Sequence, residues 1–176
     1  ILLYSVLFGI TLKLADCFNE HGFKWFKGDA LIFGLLTGLL GSLLIISNFY
    51  LTNLYLALLL VWVLRFRIDY FNHGIAGVMM FLSFLFVVNN LNWSYLLYFF
   101  LTFAFFGIIL DVILPKIKGK TILRVLFDLR IFYFVLTFLF SLYMRQWIVF
   151  ISISLFQISY NITTYYVKKS RKYKLA

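Results

Sequence analysis

The sequence predicts an all-α integral membrane protein, a polytopic helical bundle of about seven spans, and three observations support this prediction. Of the 176 residues, 64% are hydrophobic and 12% are charged, whereas a water-soluble domain is about half apolar and about a quarter charged. The apolar runs are continuous and of helical length, and helices satisfy their own backbone hydrogen bonds in lipid. The basic residues gather in alternate connections between the runs, as in a multi-pass topology.

The apolar runs predict the spans in chain order. A crossing helix needs about 20 apolar residues, or fewer where flanking side chains reach back to the interface. The runs cover residues 1–15, 30–49, 51–64, 75–88, 93–114, 131–143 and 147–167. The whole chain, residues 1–176, is therefore interpreted as a single transmembrane domain.

Two segments outside the runs are rich in basic residues, and one run is rich in glycine. The connection 115–130 carries apolar residues at helical spacing, which predicts a short amphipathic helix in the membrane interface. Residues 168–176 form a basic tail that is expected to anchor the last span. In the second span, Gly34, Gly38 and Gly41 predict a close approach of a neighbouring helix.

The distribution of Lys and Arg predicts the orientation of the chain. With the N-terminus outside, the inner regions 13–29, 65–74, 115–130 and 168–176 contain every Lys and Arg except Arg145. This bias predicts that the N-terminus is out and the C-terminus in, in a multi-pass protein of the cell membrane. The net charge of +10 is spread over several connections, a pattern that favours anionic lipid headgroups and disfavours nucleic acid.

A short polar motif occurs twice, and it holds both histidines and half of the acidic residues. Its polar members are Asp16, Asn19, Glu20 and His21 in the first copy, and Asp69, Asn72 and His73 in the second. Each copy is interpreted as the last turn of an inward-running helix, ended by Gly22 or Gly74. The recurrence predicts a duplicated two-helix unit, with repeats at 1–49 and 51–88.

The side chains of the two motifs are those that ligate divalent cations. Carboxylate and amide oxygens favour Mg²⁺ or Mn²⁺, and imidazole makes Zn²⁺ an alternative. Asp111, a carboxylate within an apolar run, is expected to pair with the metal or with Lys116. The predicted metal ligands are Asp16, Asn19, Glu20, His21, Asp69, Asn72, His73 and Asp111. The predicted catalytic residues are Asp16, Glu20, Asp69 and His73.

Basic residues close to the motifs are candidates for binding a substrate phosphate. Lys13, Arg65 and Arg67 precede the two motifs, and Lys116, Lys118 and Lys120 follow the fifth span. Anchoring to the membrane surface is the alternative role for the three lysines.

These features predict a divalent-metal-dependent enzyme of lipid metabolism at the cytoplasmic leaflet. Its substrate is a lipid or isoprenoid that bears phosphate or diphosphate, and the reaction is a transfer or a hydrolysis. The predicted partners are membrane lipids and this amphiphilic substrate. The sequence leaves open whether the chain forms a homo-oligomer. Two alternatives are a transporter or channel for small solutes or ions, and a non-catalytic membrane scaffold subunit. The confinement of the acidic residues to one side disfavours transport.

Overall fold

Seven α-helices make up a bundle in which no strand occurs among the residues that the structure describes. The structure, a computed structural model, describes residues 1–20, 24–112, 116 and 131–174, without the side chains of Glu20, Leu110 and residues 170–174. The helices are α1 (Leu2–Glu20), α2 (Asp29–Ser47), α3 (Phe49–Leu64), α4 (Phe71–Leu85), α5 (Trp93–Val112), α6 (Ile131–Met144) and α7 (Trp147–Lys174). Each coincides with one predicted apolar run, so the all-helical prediction is confirmed.

Three of the helices are long and apolar enough to cross a membrane. The crossing segments are Leu2–Asn19, Asp29–Ser47 and Trp147–Lys169, and the other four helices contain shorter apolar stretches. Large apolar side chains such as Leu39, Phe81 and Phe105 are exposed on the bundle surface. An apolar exterior of this kind suits a lipid surrounding.

The third helix forms the centre of the bundle. Residues 51–59 and Val61 of α3 are buried, and a helix that is hydrophobic all round is expected in the core. It begins at the Asn48 cap, whose side-chain oxygen accepts a hydrogen bond from the amide of Tyr50 at 2.9 Å, a common way to start a helix. Around it, α2 packs on α1, α3 and α4, α1 packs on α7, and α6 packs mainly on α7.

Glycines in α2 allow α4 to approach closely. A Cβ atom at Gly34 would lie 2.8 Å from both Cβ and the carbonyl oxygen of Asn72, and one at Gly38 would lie 2.7 Å from Sδ of Met79. Small residues at a helix interface let two backbones approach in this way. The close contact that the sequence predicted for the second span is therefore present, and it fixes the first turn of α4.

The second motif differs from its prediction. We predicted it as the last turn of an inward-running helix, but α3 already ends at Leu64. Phe66 adopts a left-handed φ of 51°, which continues no helix. Asp69 precedes α4, while Asn72, His73 and Gly74 lie in its first turn. The predicted helix end at Gly74 is therefore wrong.

The predicted duplication receives no support from this arrangement. In the pair α1–α2 the motif lies at the end of the first helix, whereas in the pair α3–α4 it lies at the start of the second. The predicted interfacial helix at 115–130 lies outside the described residues, apart from an exposed Lys116. The predicted basic tail begins as a continuation of α7, whose backbone is helical as far as Lys174.

Candidate functional site

The structure brings the two polar motifs together at one end of the bundle. We call it the site end, where α1 and α5 end and α4 begins. His73 Nε2 lies 3.0 Å from Oδ1 of Asp16, although the two residues are far apart in the chain. The catalytic and metal-binding roles of these residues stay predictions. The structure gives the contacts of each one.

Two asparagines join α1 to α4. Asn19 donates a short hydrogen bond from Nδ2 to Oδ1 of Asn72, and Nδ2 of Asn72 donates to the carbonyl oxygen of Ala15 at 3.1 Å. Oδ1 of Asn72 also accepts from the backbone amide of His73 at 2.9 Å. We call Asn19, Asn72 and the Ala15 carbonyl the amide clasp. These contacts join the two helices and occupy the Asn72 amide, so a cation bound to Asn72 would have to replace one of them.

Asp16 is contacted by cationic or hydroxyl groups from three helices. Tyr160 of α7 donates its hydroxyl to Oδ2 at 2.7 Å, and Nζ of Lys13 lies 3.4 Å from the same oxygen. His73 approaches Oδ1 from α4. A carboxylate that is mostly buried needs such partners, because an unpaired charge in an apolar environment is costly.

His73 lies between two carboxylates of unequal exposure. Its Nδ1 is 3.3 Å from Oδ1 of Asp69, whose side chain is 51% exposed, and its Nε2 faces the mostly buried Asp16. The Nε2 contact has the distance of an ion pair without hydrogen-bond geometry, and Nε2 has no other partner among the described residues. We call Asp69, His73, Asp16 and Tyr160 the carboxylate–imidazole chain. An imidazole so placed can move a proton between the surface and a buried group.

A cavity of about 250 Å³ opens beside this chain, between α1, α3, α4 and α7, and α5 and α6 each add one residue to its wall. Its polar wall includes Lys13, Asp16, Arg67, Asp69, His73 and Tyr160. Its apolar wall includes the aromatic rings of Trp62, Phe103, Tyr133 and Phe156. The cavity therefore offers charge at one part of its wall and hydrocarbon at another.

Asp111 pairs with arginines rather than with Lys116 or with the motif carboxylates. Arg65 donates from Nε to Oδ2 at 2.9 Å and from Nη2 to Oδ1 at 2.8 Å, and Nη2 of Arg67 donates to Oδ1 at 2.6 Å. We call these three residues the arginine clamp. Hydrogen bonds from both guanidinium groups stabilise the ionised form of the Asp111 carboxyl. The prediction that Asp111 joins the metal site receives no support.

The predicted metal site is not assembled in the described part of the chain. No group of three or more His, Cys, Asp or Glu side chains is arranged there to hold an ion. Both ring nitrogens of His73 face carboxylates, so a metal bound to His73 would have to replace one contact. Asp16 and Asp69 are the described carboxylates that can hold a cation on the cavity wall. The Glu20 side chain, His21, Lys118 and Lys120 lie outside the described features.

Two polar residues of α7 that line the cavity, Gln157 and Tyr160, are not among the predicted site residues. Gln157 is buried and donates from Nε2 to Oδ1 of Asn161 at 3.2 Å. A signal was present, because residues 157, 160, 161 and 164 are polar or hydroxyl-bearing and share one helix face at spacings of three and four. These residues lie within an otherwise apolar run, where polar side chains often mark a functional site.

Comparison with known proteins adds no assignment to this geometry. The functional conclusion therefore depends on the contacts, burial and charges of the described residues. No protein-family model, no curated protein and no solved structure matches the chain significantly.

Proposed function

We propose that this chain is a multi-pass enzyme of the cell membrane that acts on a lipid or isoprenoid bearing phosphate or diphosphate. In this proposal the N-terminus is outside, the C-terminus is inside and the cavity faces the cytoplasmic leaflet, in agreement with the distribution of Lys and Arg. The observation that carries the proposal is the cavity itself, in which cationic and acid–base side chains adjoin an aromatic wall.

The cationic part of the cavity suits an anionic headgroup. Lys13, Arg65 and Arg67 all line it, and charge-assisted hydrogen bonds from Lys and Arg are the usual means of binding phosphate. Burial strengthens such contacts, because a low local dielectric increases the attraction between opposite charges. The side chains of Lys13 and Arg65 are enclosed, at 11% and 12% exposure, and the described carboxylate partner of Lys13 is Asp16 at 3.4 Å.

The apolar part of the cavity suits the first carbons of a hydrocarbon chain. Pockets that enclose a whole small molecule usually measure about 300–1,000 Å³, and this cavity measures about 250 Å³. The headgroup and the adjoining carbons therefore occupy the cavity, and the remainder of the chain stays in the lipid. Trp62, Phe103 and Phe156 provide the contact surface for those carbons.

The carboxylate–imidazole chain supplies acid–base chemistry in the proposal. A water or hydroxyl nucleophile in the cavity displaces the exposed Asp69 from Nδ1 of His73, which then accepts its proton, and Asp16 beside Nε2 stabilises the imidazolium that results. Tyr160 and Lys13 orient Asp16 by donating to the same oxygen. A divalent cation, Mg²⁺ or Mn²⁺ rather than Zn²⁺, would neutralise phosphate charge. Asp16 and Asp69 would hold it, because Mg²⁺ is commonly bound by one or two carboxylates together with substrate phosphates.

The second candidate function is transport, and a buried polar network inside the bundle favours it. The hydroxyls of Ser5 and Ser152 lie 2.7 Å apart, and Tyr55 Oη lies 2.8 Å from Oγ of Ser152. Ser5 is eleven residues before Asp16 on α1, or about 16 Å along the helix axis. Polar groups therefore continue into the bundle beyond the site end. Flux of a small solute or of protons in proteoliposomes, abolished by Tyr55→Phe, would favour this candidate.

The binding of a simple phosphorylated amphiphile tests the enzyme proposal. The protein in phosphatidylcholine nanodiscs is titrated with dodecyl phosphate and with dodecanol, and empty nanodiscs serve as the blank. We expect dodecyl phosphate to bind at least about tenfold more tightly than dodecanol, and Lys13→Gln to remove most of this difference. Arg145→Gln, at the exposed turn between α6 and α7, is the matched control and should bind like the wild type.

Equal affinity for the two amphiphiles in the folded wild-type protein would contradict the proposal. So would a wild-type preference for dodecyl phosphate that Lys13→Gln leaves unchanged while its helical circular dichroism is intact. Product analysis by mass spectrometry, with a panel of alkyl and isoprenyl phosphates and diphosphates, then distinguishes transfer from hydrolysis.

A further inference from the structure

The arginine clamp has the geometry of an anion site that is already filled. Arg65 makes two parallel hydrogen bonds to the two oxygens of Asp111, and Arg67 adds a third to Oδ1. This paired contact is how guanidinium groups bind carboxylate and phosphate alike. A phosphate can therefore make the same contacts as the Asp111 carboxylate.

The two arginines lie between this carboxylate and the cavity. Arg65 and Arg67 line the cavity, whereas Asp111, at the end of α5, is not among its described lining residues. The same two side chains therefore contact Asp111 and also border the cavity.

The two arginines differ in how firmly they are held. The Arg65 side chain is 12% exposed and lies against Gly107, where an added Cβ would be 2.6 Å from Nη1. The Arg67 side chain is 57% exposed, follows the left-handed residue Phe66 and makes one hydrogen bond to Asp111. An exposed ion pair contributes little free energy. Arg67 can therefore exchange partners readily, while Arg65 stays in place.

We propose that the Asp111 carboxylate competes with the substrate's phosphate for the guanidinium groups of Arg65 and Arg67. The phosphate binds the pair by displacing Asp111 from Arg67. This inference rests on the proposed function and names a residue that lowers the affinity of the site. When the phosphate binds, Arg67 exchanges its contact with Asp111 for a contact in the cavity, and the end of α5 loses one of its ties to the loop between α3 and α4.

Removal of the competing charge tests the inference. In the nanodisc titration with dodecyl phosphate, we expect Asp111→Asn to bind about three- to fivefold more tightly than the wild type, because an exposed ion pair is worth no more than that. Arg67→Gln should bind about tenfold more weakly. The double variant should bind no more tightly than Arg67→Gln, because Asp111 acts through Arg67.

Matched variants separate this effect from a change of net charge or of folding. Asp29→Asn removes a negative charge at the start of α2, where the side chain accepts from the backbone amides of Trp25 and Ala30 and does not line the cavity, and should leave the affinity of the folded protein unchanged. Asp111→Ala is the second variant if Asp111→Asn folds poorly, since alanine is favourable in a helix. It should also bind more tightly.

Two results would overturn the inference while the proposed function stands. The first is wild-type binding that Lys13→Gln weakens but both Asp111 variants leave unchanged or weaken. The second is a gain on Asp111→Asn that persists in the Arg67→Gln background. Failure of the proposed function looks different, because dodecyl phosphate and dodecanol then bind equally to every variant.

Discussion

The two ends of the bundle both bury polar side chains, but they do so in different ways. At the end opposite the site, Asn53 is fully buried and donates from Nδ2 to the carbonyl oxygens of Phe49 at 2.8 Å and Asn90 at 3.0 Å. Its Oδ1 accepts from the backbone amide of Asn92 at 2.9 Å. At the site end, the buried groups are mainly charged, and they pair with one another beside a cavity.

This difference between the two ends helps to separate buried polar groups that indicate function from those that only stabilise the fold. A neutral amide whose hydrogen bonds all go to backbone groups connects two segments and needs no further partner. Charged groups that differ in exposure and line a cavity are candidates for a functional site, because burial and charged neighbours perturb ionisable groups at such sites. The same contrast occurs within the site end, where the amide clasp adjoins the carboxylate–imidazole chain.

The largest expected effect is the loss of turnover in Asp16→Asn. The substitution keeps the size of the side chain and its ability to accept from the Tyr160 hydroxyl, but it removes the charge that faces His73. We expect turnover of the phosphorylated substrate to fall at least about 100-fold, or about 2.7 kcal/mol in activation free energy. Steady-state kinetics in nanodiscs measure this, and Asp29→Asn is the control. Undiminished turnover would show that Asp16 has no catalytic role and only joins the helices that it contacts.

The next effect concerns the helix contact that supports the amide clasp. Gly34→Ala should lower the free energy of unfolding by about 1–3 kcal/mol, because its Cβ meets both Cβ and the carbonyl oxygen of Asn72 at 2.8 Å. Gly74→Ala is the matched control, since no atom lies within 4 Å of its Cβ and the helix gains about 0.5–1 kcal/mol. Unfolding followed by circular dichroism should therefore give shifts of opposite sign. Equal shifts would show that the contact is loose.

A smaller effect is expected at the opposite end. Asn53→Ala leaves the Asn90 carbonyl and the Asn92 amide without their side-chain partner, which should cost about 1–2 kcal/mol of unfolding free energy. The affinity for dodecyl phosphate should not change. A loss of affinity with a stable fold would show that the two ends are coupled, and the comparison between them would then need revision.

The smallest expected effect is that of pH on the arginine clamp. Three hydrogen bonds from Arg65 and Arg67 hold the Asp111 carboxylate in its ionised form, and a carboxylate paired in this way resists protonation. Between pH 8 and pH 5, the ratio of the Asp111→Asn affinity to the wild-type affinity should stay constant. A ratio that approaches one by pH 5 would show that the carboxyl is protonated far more easily than its contacts with Arg65 and Arg67 imply.

The positions of the helices follow from the sequence because each apolar run forms one helix. Continuous hydrophobicity leaves the backbone no other way to satisfy its hydrogen bonds in lipid, and the observed bounds lie within a few residues of most of the runs. The end of α3 does not follow in this way. We interpreted Gly74 as a helix end, but the break occurs earlier, at Phe66, a residue that seldom adopts a left-handed φ.

The candidate site follows from the sequence only where its residues recur as a pattern. The repeated motif draws attention to Asp16 and His73, which meet in the structure. Tyr160 belongs to no repeat, and its contact with Asp16 spans 144 positions of the chain. For the same reason, the pairing of Asp111 with Arg65 across 46 positions cannot be deduced from local spacing, which favoured Lys116.

The amide clasp separates the fastening of two helices from the chemistry beside them. Since Asn19 and Asn72 carry no charge and bind each other and the chain itself, the neighbouring ionisable residues are free to vary without parting α1 from α4. A substitution at Lys13 or Asp69 should therefore change the charge of the cavity wall and leave the contact between the two helices in place. The contact between α1 and α4 and the charge of the cavity wall are thus set by different residues.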